Sequence, residues 1–222
     1  MKVMTKEELI EELKREGWLK TPRVVEALQK IDRADFVPEG LKAEAYFNTA
    51  LPIGEGQTIS QPLVVAFMLE LLRPEAGQKI LDVGTGSGWV AGLLSELVGK
   101  KGRVFSVERV SELGAAARRN LARYGFVESG VLSLLVGDGV KGWPEEAPFD
   151  RIIAAAAGTA IPAPWKEQLT VGGRIVAPVG SRILMLEKRP SLDSSRRGGQ
   201  DGGFREEAYE GFSFVPLIGN SK

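Results

Sequence analysis

The chain reads Lys79-Ile80-Leu81-Asp82-Val83-Gly84-Thr85-Gly86-Ser87-Gly88 near its middle, and this stretch decides the fold. Its apolar first half is typical of a short buried strand, its glycines of a tight turn, and the following residues 89–98 of a helix. A strand, a glycine-rich loop and a helix in this order bind nucleotide-like ligands in open α/β sheets. Glycine suits such a loop because a ligand can press against bare backbone there, often at φ values that other residues avoid.

Two details of this stretch favour S-adenosylmethionine over a dinucleotide. The glycines follow the pattern G-x-G-x-G instead of G-x-G-x-x-G, and Asp82 places a carboxylate just before them. A carboxylate would repel a pyrophosphate, whereas it would attract the ammonium group of a methionyl moiety. We therefore predict that the cofactor binds at Asp82, Gly84, Thr85, Gly86 and Ser87. A tight turn without a ligand remains the alternative, because a glycine fingerprint alone is a weak signal.

Two acidic residues downstream extend this cofactor site. The second apolar run ends at Glu108, about 20 residues after the last glycine, where the ribose-binding carboxylate of such a fold belongs. A third strand is predicted at Leu132–Val136, and it is closed by Gly137-Asp138-Gly139. Asp138 is placed to reach an adenine amino group while the backbone of Gly139 stays close to the ring. Alternatively, Glu108 is a solvated strand end and Asp138 an ordinary turn residue, since Asp-Gly is a common turn pair.

The rest of the second half predicts a sheet of about seven strands. Apolar runs at 148–156, 174–179 and 183–188 predict three more strands, and the alternating run 211–217 predicts a closing one. Prolines near residue 162 predict a helix that ends near residue 172, and the polar, glycine-rich residues 191–203 predict a mobile loop. The fold class is therefore α/β, with a doubly wound, mostly parallel seven-stranded sheet of the Rossmann-like, S-adenosylmethionine-dependent methyltransferase type.

Residues 1–78 form a helical region that precedes this sheet, with residues 79–222 as the cofactor-binding domain of one compact unit. Thr5 and Glu8 carry a capping-box signature, and Gly17 ends the first helix. Thr21-Pro22 begins a second helix. A loop is predicted at residues 51–62, followed by an apolar helix over residues 63–72. These elements are expected to be N-terminal helical additions to the sheet.

Composition narrows the class of protein. The chain has 222 residues, 43% of them hydrophobic, which is enough for a sizeable core. Lys plus Arg and Asp plus Glu number 29 each, and this balance disfavours nucleic-acid binding, for which a basic face is typical. The chain contains no Cys and no His, which excludes disulfides and thiolate zinc sites and removes the commonest metal ligand. Its apolar runs are too short to span a bilayer, and its N-terminus is charged. We expect a cytoplasmic protein without metal.

Motifs along nearly the whole chain resemble the protein-L-isoaspartate (D-aspartate) O-methyltransferase family. They are Ala45-Tyr46, Leu51-Pro52-Ile53, Gln57-Thr58-Ile59-Ser60, the fingerprint 82–88, Gly137-Asp138-Gly139, Ala147-Pro148-Phe149-Asp150 and Phe214-Val215-Pro216-Leu217. The Gln-Thr-Ile-Ser loop distinguishes this family from other methyltransferases. The resemblance implies methyl transfer from S-adenosylmethionine to the α-carboxylate of isoaspartyl residues in damaged proteins and peptides. It also implies that the last two strands reverse their usual order.

The resemblance ties Ser60 most closely to catalysis, with its hydroxyl orienting the acceptor carboxylate. It implies that Thr58 and Ile59 line the methionyl end of the cofactor or the acceptor groove. No general base is required, because a carboxylate with a pKa of about 3.5 is already anionic at neutral pH. Ser60 alone would also suit the N-cap of the helix that follows. Both roles can coexist, since a helix start attracts anions.

The chain departs from the family pattern at two residues and one segment. Glu55 stands where relatives often carry an aromatic residue or His, and a carboxylate there is unhelpful unless it points to solvent. Trp89 replaces a more usual tyrosine, and residues 191–203 have no counterpart. Two other functions therefore remain open: a methyltransferase with a small-molecule or tRNA acceptor, and a binding module without turnover. We expect a monomer that binds neither nucleic acid nor membranes.

Overall fold

The computed structural model describes residues 4–190 and 203–219. Within these residues the helices are α1 (Lys6–Arg15), α2 (Pro22–Lys30), α3 (Pro62–Leu72), α4 (Trp89–Val98), α5 (Ser111–Leu121) and α6 (Ala163–Glu167). The strands are β1 (Leu51–Gly54), β2 (Gln57–Ile59), β3 (Lys79–Val83), β4 (Arg103–Glu108), β5 (Leu132–Val136), β6 (Phe149–Ala154), β7 (Leu169–Val179), β8 (Arg182–Lys188) and β9 (Phe204–Glu210). In this part of the chain no helix is long and apolar enough to cross a membrane.

Seven of the strands form one sheet in the order β5-β4-β3-β6-β7-β8-β9. Strands β3 to β7 pair in parallel, and β8 and β9 pair antiparallel at one side. This confirms the predicted mostly parallel, seven-stranded sheet. The last three strands lie in chain order, β7-β8-β9, with β9 at the edge. This is the reversed order of the last two strands that the family resemblance implies. The order also reverses direction at β3, which places a crevice at the carboxyl ends of β3 and its neighbours.

Hydrophobic residues cover both faces of the sheet. Alternate residues of a strand point to opposite faces, so Ile80 packs with the helical layer of α1 to α4 while Leu81 packs with Trp165 of α6. The first cluster joins Leu13 and Leu69 of the N-terminal region to residues of β3, β4, β6 and β7. The N-terminal helices therefore share a continuous core with the sheet.

The N-terminal region confirms the predicted helix starts and corrects the predicted loop. Thr5 and Glu8 form the reciprocal capping box of α1, and Pro22 begins α2. Residues 51–62, however, are not simply a loop, because β1 and β2 pair there as an antiparallel hairpin. Its two-residue turn is formed by Glu55 and Gly56, both with positive φ. The sequence offered no Asn-Gly or Asp-Gly signal at this turn, so the hairpin was missed.

Three further predictions in the second half need correction or fall outside the structure. The closing strand is β9, and residues 211–217 run beside the sheet with one bridge between Pro216 and Ala157. The sequence of β9 is mostly charged, which is typical of an exposed edge and hides the strand from a hydrophobic pattern. Helix α6 ends at Glu167, and residues 172–173 lie inside β7, whose register against β6 is irregular. Of the loop predicted at 191–203, residues 191–202 lie outside the described residues.

Candidate active site

The glycine-rich loop begins where β3 ends and is fixed by the neighbouring strand. The backbone N–H groups of Gly84 and Thr85 donate to the carbonyl of Val107 at 2.9 and 3.3 Å. Gly84, Gly86 and Gly88 have φ values of +91°, +55° and +97°, in the left-handed region that favours glycine. The loop can therefore turn sharply into α4 and leave its backbone facing the crevice.

A cleft with a cavity volume of about 100 Å³ lies against this loop. Its walls come from the β1–β2 hairpin, the glycine-rich loop, the end of β4, the turn after β5 and the C-terminal segment. The lining residues include Gln57, Thr58, Gly84, Gly86, Glu108, Arg109, Val110, Leu113, Gly139, Ala155, Val215, Pro216, Leu217 and Ile218. The mixed apolar and polar lining is typical of a site for a small organic ligand.

Close backbone packing explains two of the glycines around the cleft. A Cβ added at Gly139 would lie 2.5 Å from Cγ1 of Val83, so only glycine allows the turn after β5 to rest on β3. A Cβ at Gly86 would lie 3.4 Å from Cδ1 of Ile53. The hairpin therefore packs directly over the glycine-rich loop and forms one side of the cleft.

Glu108 joins the glycine-rich loop to the end of β4. Its Oε2 accepts a hydrogen bond from the backbone N–H of Gly86 at 2.8 Å, and its Oε1 accepts one from that of Val110 at 2.9 Å. The side chain is only 7% exposed, yet it lines the cleft. Glu108 thus lines the cleft at the end of β4, and its ribose-binding role stays a prediction.

Asp82 is a buried carboxylate with one unused oxygen. Its side chain is 1% exposed, and its Oδ2 accepts a hydrogen bond of 2.7 Å from Ser106, whose hydroxyl also lies 2.6 Å from that of Thr85. Its Oδ1 has no hydrogen-bond partner. Burial raises the pKa of Asp82 from 3.8 to about 7, the hydrogen bond from Ser106 opposes this, and the charge of Glu108 adds to it. A buried acceptor of this kind fits a ligand ammonium group.

Ser60 borders a second cavity that adjoins the cleft. This cavity, of about 270 Å³, is lined by Ser60, Gln61, Val64 and residues 211–215, and it shares Thr58, Ala155 and Val215 with the cleft. A third, smaller cavity is lined by both Ser60 and Asp82. Ser60 therefore lines the cavity that adjoins the cleft and not the cleft itself.

Ser60 is not the N-cap of the helix that follows it, contrary to one of the two predicted roles. Gln61 occupies the N-cap position of α3 and makes no side-chain capping bond. Instead, Asn48 Oδ1 accepts a hydrogen bond from the backbone N–H of Leu63 at 3.0 Å. Because Asn48 lies 15 residues before Leu63, no local pattern could reveal this contact.

The other predicted site residues differ in their access to the cleft. Thr58 is exposed and lines both larger cavities, whereas Ile59 packs in the hydrophobic core. The side chains of Thr85 and Ser87 are buried below the loop. Asp138 Oδ1 accepts a hydrogen bond from the N–H of Val140 at the edge of the cleft, beside Gly139.

Sequence reasoning missed two parts of this site. The C-terminal segment 215–218 forms one wall of the cleft, although it was predicted as part of a strand. Arg33 lies beneath Ser60 and donates a hydrogen bond to its carbonyl at 3.1 Å. A buried arginine in a short 3₁₀-helix gives no signal in a hydrophobic pattern, so its contact with the site depends on tertiary structure.

Comparison with known proteins identifies relatives over almost the whole chain. A profile of the family "Protein-L-isoaspartate(D-aspartate) O-methyltransferase (PCMT)" matches residues 4–222. The protein-L-isoaspartate O-methyltransferase of Methanopyrus kandleri is 45% identical over 96% of this chain and 91% of its own. That of Thermococcus onnurineus is 43% identical over 95% of this chain and 92% of its own.

Solved structures share the fold. A structure described as a putative protein-L-isoaspartate O-methyltransferase from Plasmodium falciparum, in complex with S-adenosyl-L-homocysteine, has a TM-score of 0.84 and 22% identity, covering 98% of this chain and 100% of its own. A second structure, named protein-L-isoaspartate O-methyltransferase, has a TM-score of 0.79 and 27% identity, covering 97% of this chain and 67% of its own.

Proposed function

The chain belongs to the protein-L-isoaspartate(D-aspartate) O-methyltransferase family, and we propose that it methylates the α-carboxylate of L-isoaspartyl residues in damaged proteins and peptides. The observation that carries this proposal is the juxtaposition of two spaces that share Thr58, Ala155 and Val215. One space fits S-adenosylmethionine, and the other brings an acceptor to Ser60.

The cofactor half of the site assigns a role to each acidic residue. S-adenosylmethionine supplies an electrophilic methyl group on a positively charged sulfur. Asp82 would hold the methionyl ammonium through its unpaired Oδ1, Glu108 the ribose hydroxyls and Asp138 the adenine amino group. The glycines 84, 86 and 139 would let the ligand approach the backbone.

The acceptor half needs positioning rather than proton transfer. An α-carboxylate is anionic at neutral pH, so no group of the chain has to remove a proton. The Ser60 hydroxyl would orient the carboxylate, and Thr58, which lines both spaces, would border the point where the acceptor meets the cofactor. Holding the two reactants in line removes about 7–11 kcal/mol of barrier in well-oriented cases. We also propose that the chain acts as a cytoplasmic monomer on proteins and peptides, not on nucleic acid, to which its balanced charge is poorly suited.

Paired peptides that differ only in an isoaspartyl or a normal aspartyl linkage test this function. With methyl-labelled S-adenosylmethionine, we expect base-labile, methanol-releasing label on the isoaspartyl peptide alone. Equal labelling of both peptides, or label that resists base, would contradict the proposal. Labelling of tRNA instead of either peptide would favour the alternative acceptor class.

The same assay tests the role of Ser60. We expect Ser60→Ala to lower turnover of the isoaspartyl peptide while S-adenosylhomocysteine affinity changes little, because Ser60 lines the acceptor cavity and not the cofactor cleft. A large loss of S-adenosylhomocysteine affinity would move Ser60 to the cofactor half of the site.

A further inference from the structure

Arg33 is a buried cation without a carboxylate partner. It begins the 3₁₀-helix Arg33–Phe36 and is only 2% exposed. It takes part in none of the ion pairs formed within residues 4–190 and 203–219. Burial lowers its pKa to about 10, so the guanidinium stays charged at neutral pH. Burying a charge without an ionic partner disfavours folding, so stability alone does not explain this arrangement.

Four backbone carbonyls, one of them that of Ser60, take the place of a carboxylate. The Nη1 atom donates to the carbonyls of Ala45 at 2.6 Å and Phe47 at 3.4 Å. The Nη2 atom donates to those of Thr49 at 2.8 Å and Ser60 at 3.1 Å. The planar guanidinium of Arg33 therefore connects the segment before β1 to Ser60. This segment and Ser60 lie on either side of the β1–β2 hairpin in sequence.

Besides these carbonyls, the guanidinium group of Arg33 contacts the ring of Trp89. Its Cζ lies 5.3 Å from the ring centroid of Trp89, the first residue of α4. Its Nε has no hydrogen-bond partner, so the four carbonyls carry all of its hydrogen bonding. These carbonyls are neutral dipoles, and the full positive charge remains close to the cavity that Ser60 and Ala50 line.

We propose that Arg33 is a positioning residue for the acceptor half of the site, where it fixes Ser60 and favours an anionic acceptor. This inference rests on the proposed function. The positioning of Ser60 and the attraction of an anionic acceptor can be tested separately, because the hydrogen-bonding fork and the charge can be altered independently. Lysine keeps the positive charge but not the planar fork, whereas methionine keeps only the apolar length of the side chain.

The charge should act on acceptor binding more than on the chemical step. In methyl transfer the carboxylate oxygen forms a bond to the methyl carbon, the carbon–sulfur bond breaks, and sulfur keeps the electron pair. The anionic acceptor becomes a neutral ester, so the attraction to Arg33 is strongest before reaction. We therefore expect loss of the charge to raise KM and loss of the fork to lower kcat.

The matched control is Arg151, another buried arginine that caps backbone carbonyls. It is 9% exposed, and its Nε donates to the carbonyls of Leu72 and Arg73 at 2.8 and 3.2 Å, at the end of α3. Arg151→Lys thus removes guanidinium hydrogen bonds to backbone carbonyls at the end of α3 that lies away from Ser60. Melting temperature and S-adenosylhomocysteine affinity, measured for each variant, report whether the fold and the cofactor cleft survive.

The experiment compares Arg33→Lys, Arg33→Met and Arg151→Lys with the wild type on isoaspartyl peptide. We expect Arg33→Met to raise the peptide KM at least about tenfold and Arg33→Lys to keep KM near that of the wild type. We expect Arg33→Lys to lower kcat by about 10- to 100-fold, as a small misplacement of a reacting group does. S-adenosylhomocysteine affinity should change little in all three.

Two results would overturn the inference. One is a peptide KM in Arg33→Met that equals the KM in Arg33→Lys, and the other is a kcat in Arg33→Lys no lower than in Arg151→Lys. If Arg33→Met does not fold, the kcat comparison still decides the positioning role. Failure of the proposed function would look different, since the wild type would then bind S-adenosylhomocysteine and leave isoaspartyl peptide unmethylated.

Discussion

Asp82 combines full burial with an unused acceptor atom, and this gives the cofactor site a dependence on pH. The folded protein holds the pKa of Asp82 at about 7, above the ordinary value of 3.8. Between these values the folded chain keeps a proton that the unfolded chain releases. The stability contributed by this proton is complete below pH 3.8 and is lost as pH rises through about 7. A bound ammonium group would instead favour the deprotonated form of Asp82, because it stabilises the carboxylate.

We expect the affinity for S-adenosylhomocysteine to increase as pH rises from about 6 to 8. At pH values below the pKa of Asp82, the increase is at most about tenfold per pH unit. The ligand's ammonium stays charged over this range, so the change reports the carboxylate. Titration calorimetry at several pH values measures the effect, and Asp82→Asn should abolish it while weakening binding. A wild-type affinity that does not vary with pH would show that Asp82 does not contact the ligand's charge.

At the scale of elements, the β1–β2 hairpin forms the wall that joins the two halves of the site. Ile53 of β1 packs against Gly86, and Thr58 of β2 lines both larger cavities. Its turn is strained, since Glu55 adopts a φ of +52°. A left-handed conformation costs about 1–2 kcal/mol for a residue with a Cβ, and Asn tolerates it better than Glu. Glu55 is exposed at the hairpin tip, so its carboxylate faces solvent and not the acceptor.

Replacing Glu55 by Asn should stabilise the protein, because Asn-Gly is the favoured pair for a turn with positive φ at both central residues. We expect a gain on the order of 1 kcal/mol in the free energy of unfolding and an unchanged kcat/KM. Glu55→Gln is the matched control, since it removes the same charge and keeps the strain. A thermal melt in which both variants shift equally would assign the effect to charge instead.

At the scale of the whole molecule, Phe67 of α3 joins Trp18 of the N-terminal region to the segment that follows β9. Phe67 of α3 stacks on Phe212 with ring centroids 5.6 Å apart, and its ring edge contacts Trp18 and Tyr209. Beyond Phe212 the chain pairs with Ala157 through the N–H of Leu217 and the carbonyl of Val215, and it then closes the cleft. The aromatic cluster anchors the segment, and the segment completes the cofactor site.

Shortening the chain separates these two roles. A chain that ends at Phe214 keeps the aromatic cluster but loses the wall formed by residues 215–218, so we expect S-adenosylhomocysteine affinity to fall at least about tenfold with little change in melting temperature. A chain that ends at Gly219 keeps the wall and serves as the control. Equal affinities for the two shortened chains, measured by calorimetry, would contradict this role.

Much of the fold followed from local patterns. The strands β3 to β6 and the helix α4 are mostly apolar and lie near glycine or proline, so the sequence predicts their places to within a few residues. The hairpin and β9 were missed because a strained turn without Asn and a charged edge strand carry weak local signals. The cap of α3 by Asn48 and the cleft wall at residues 215–218 depend on residues far apart in sequence, and no local pattern encodes them.

The sequence by itself determined the parallel sheet, the glycine-rich loop and the carboxylates that follow it, because spacing along a strand–loop–helix unit fixes which groups reach the carboxyl edge of the sheet. Tertiary structure alone decided how deeply those groups are buried and what lies beside them. It left Oδ1 of Asp82 unpaired, placed the charge of Arg33 beneath Ser60 and brought the C-terminal segment over the cleft. Burial determines the strength of each electrostatic interaction, and burial is a property of the packed chain and not of local sequence.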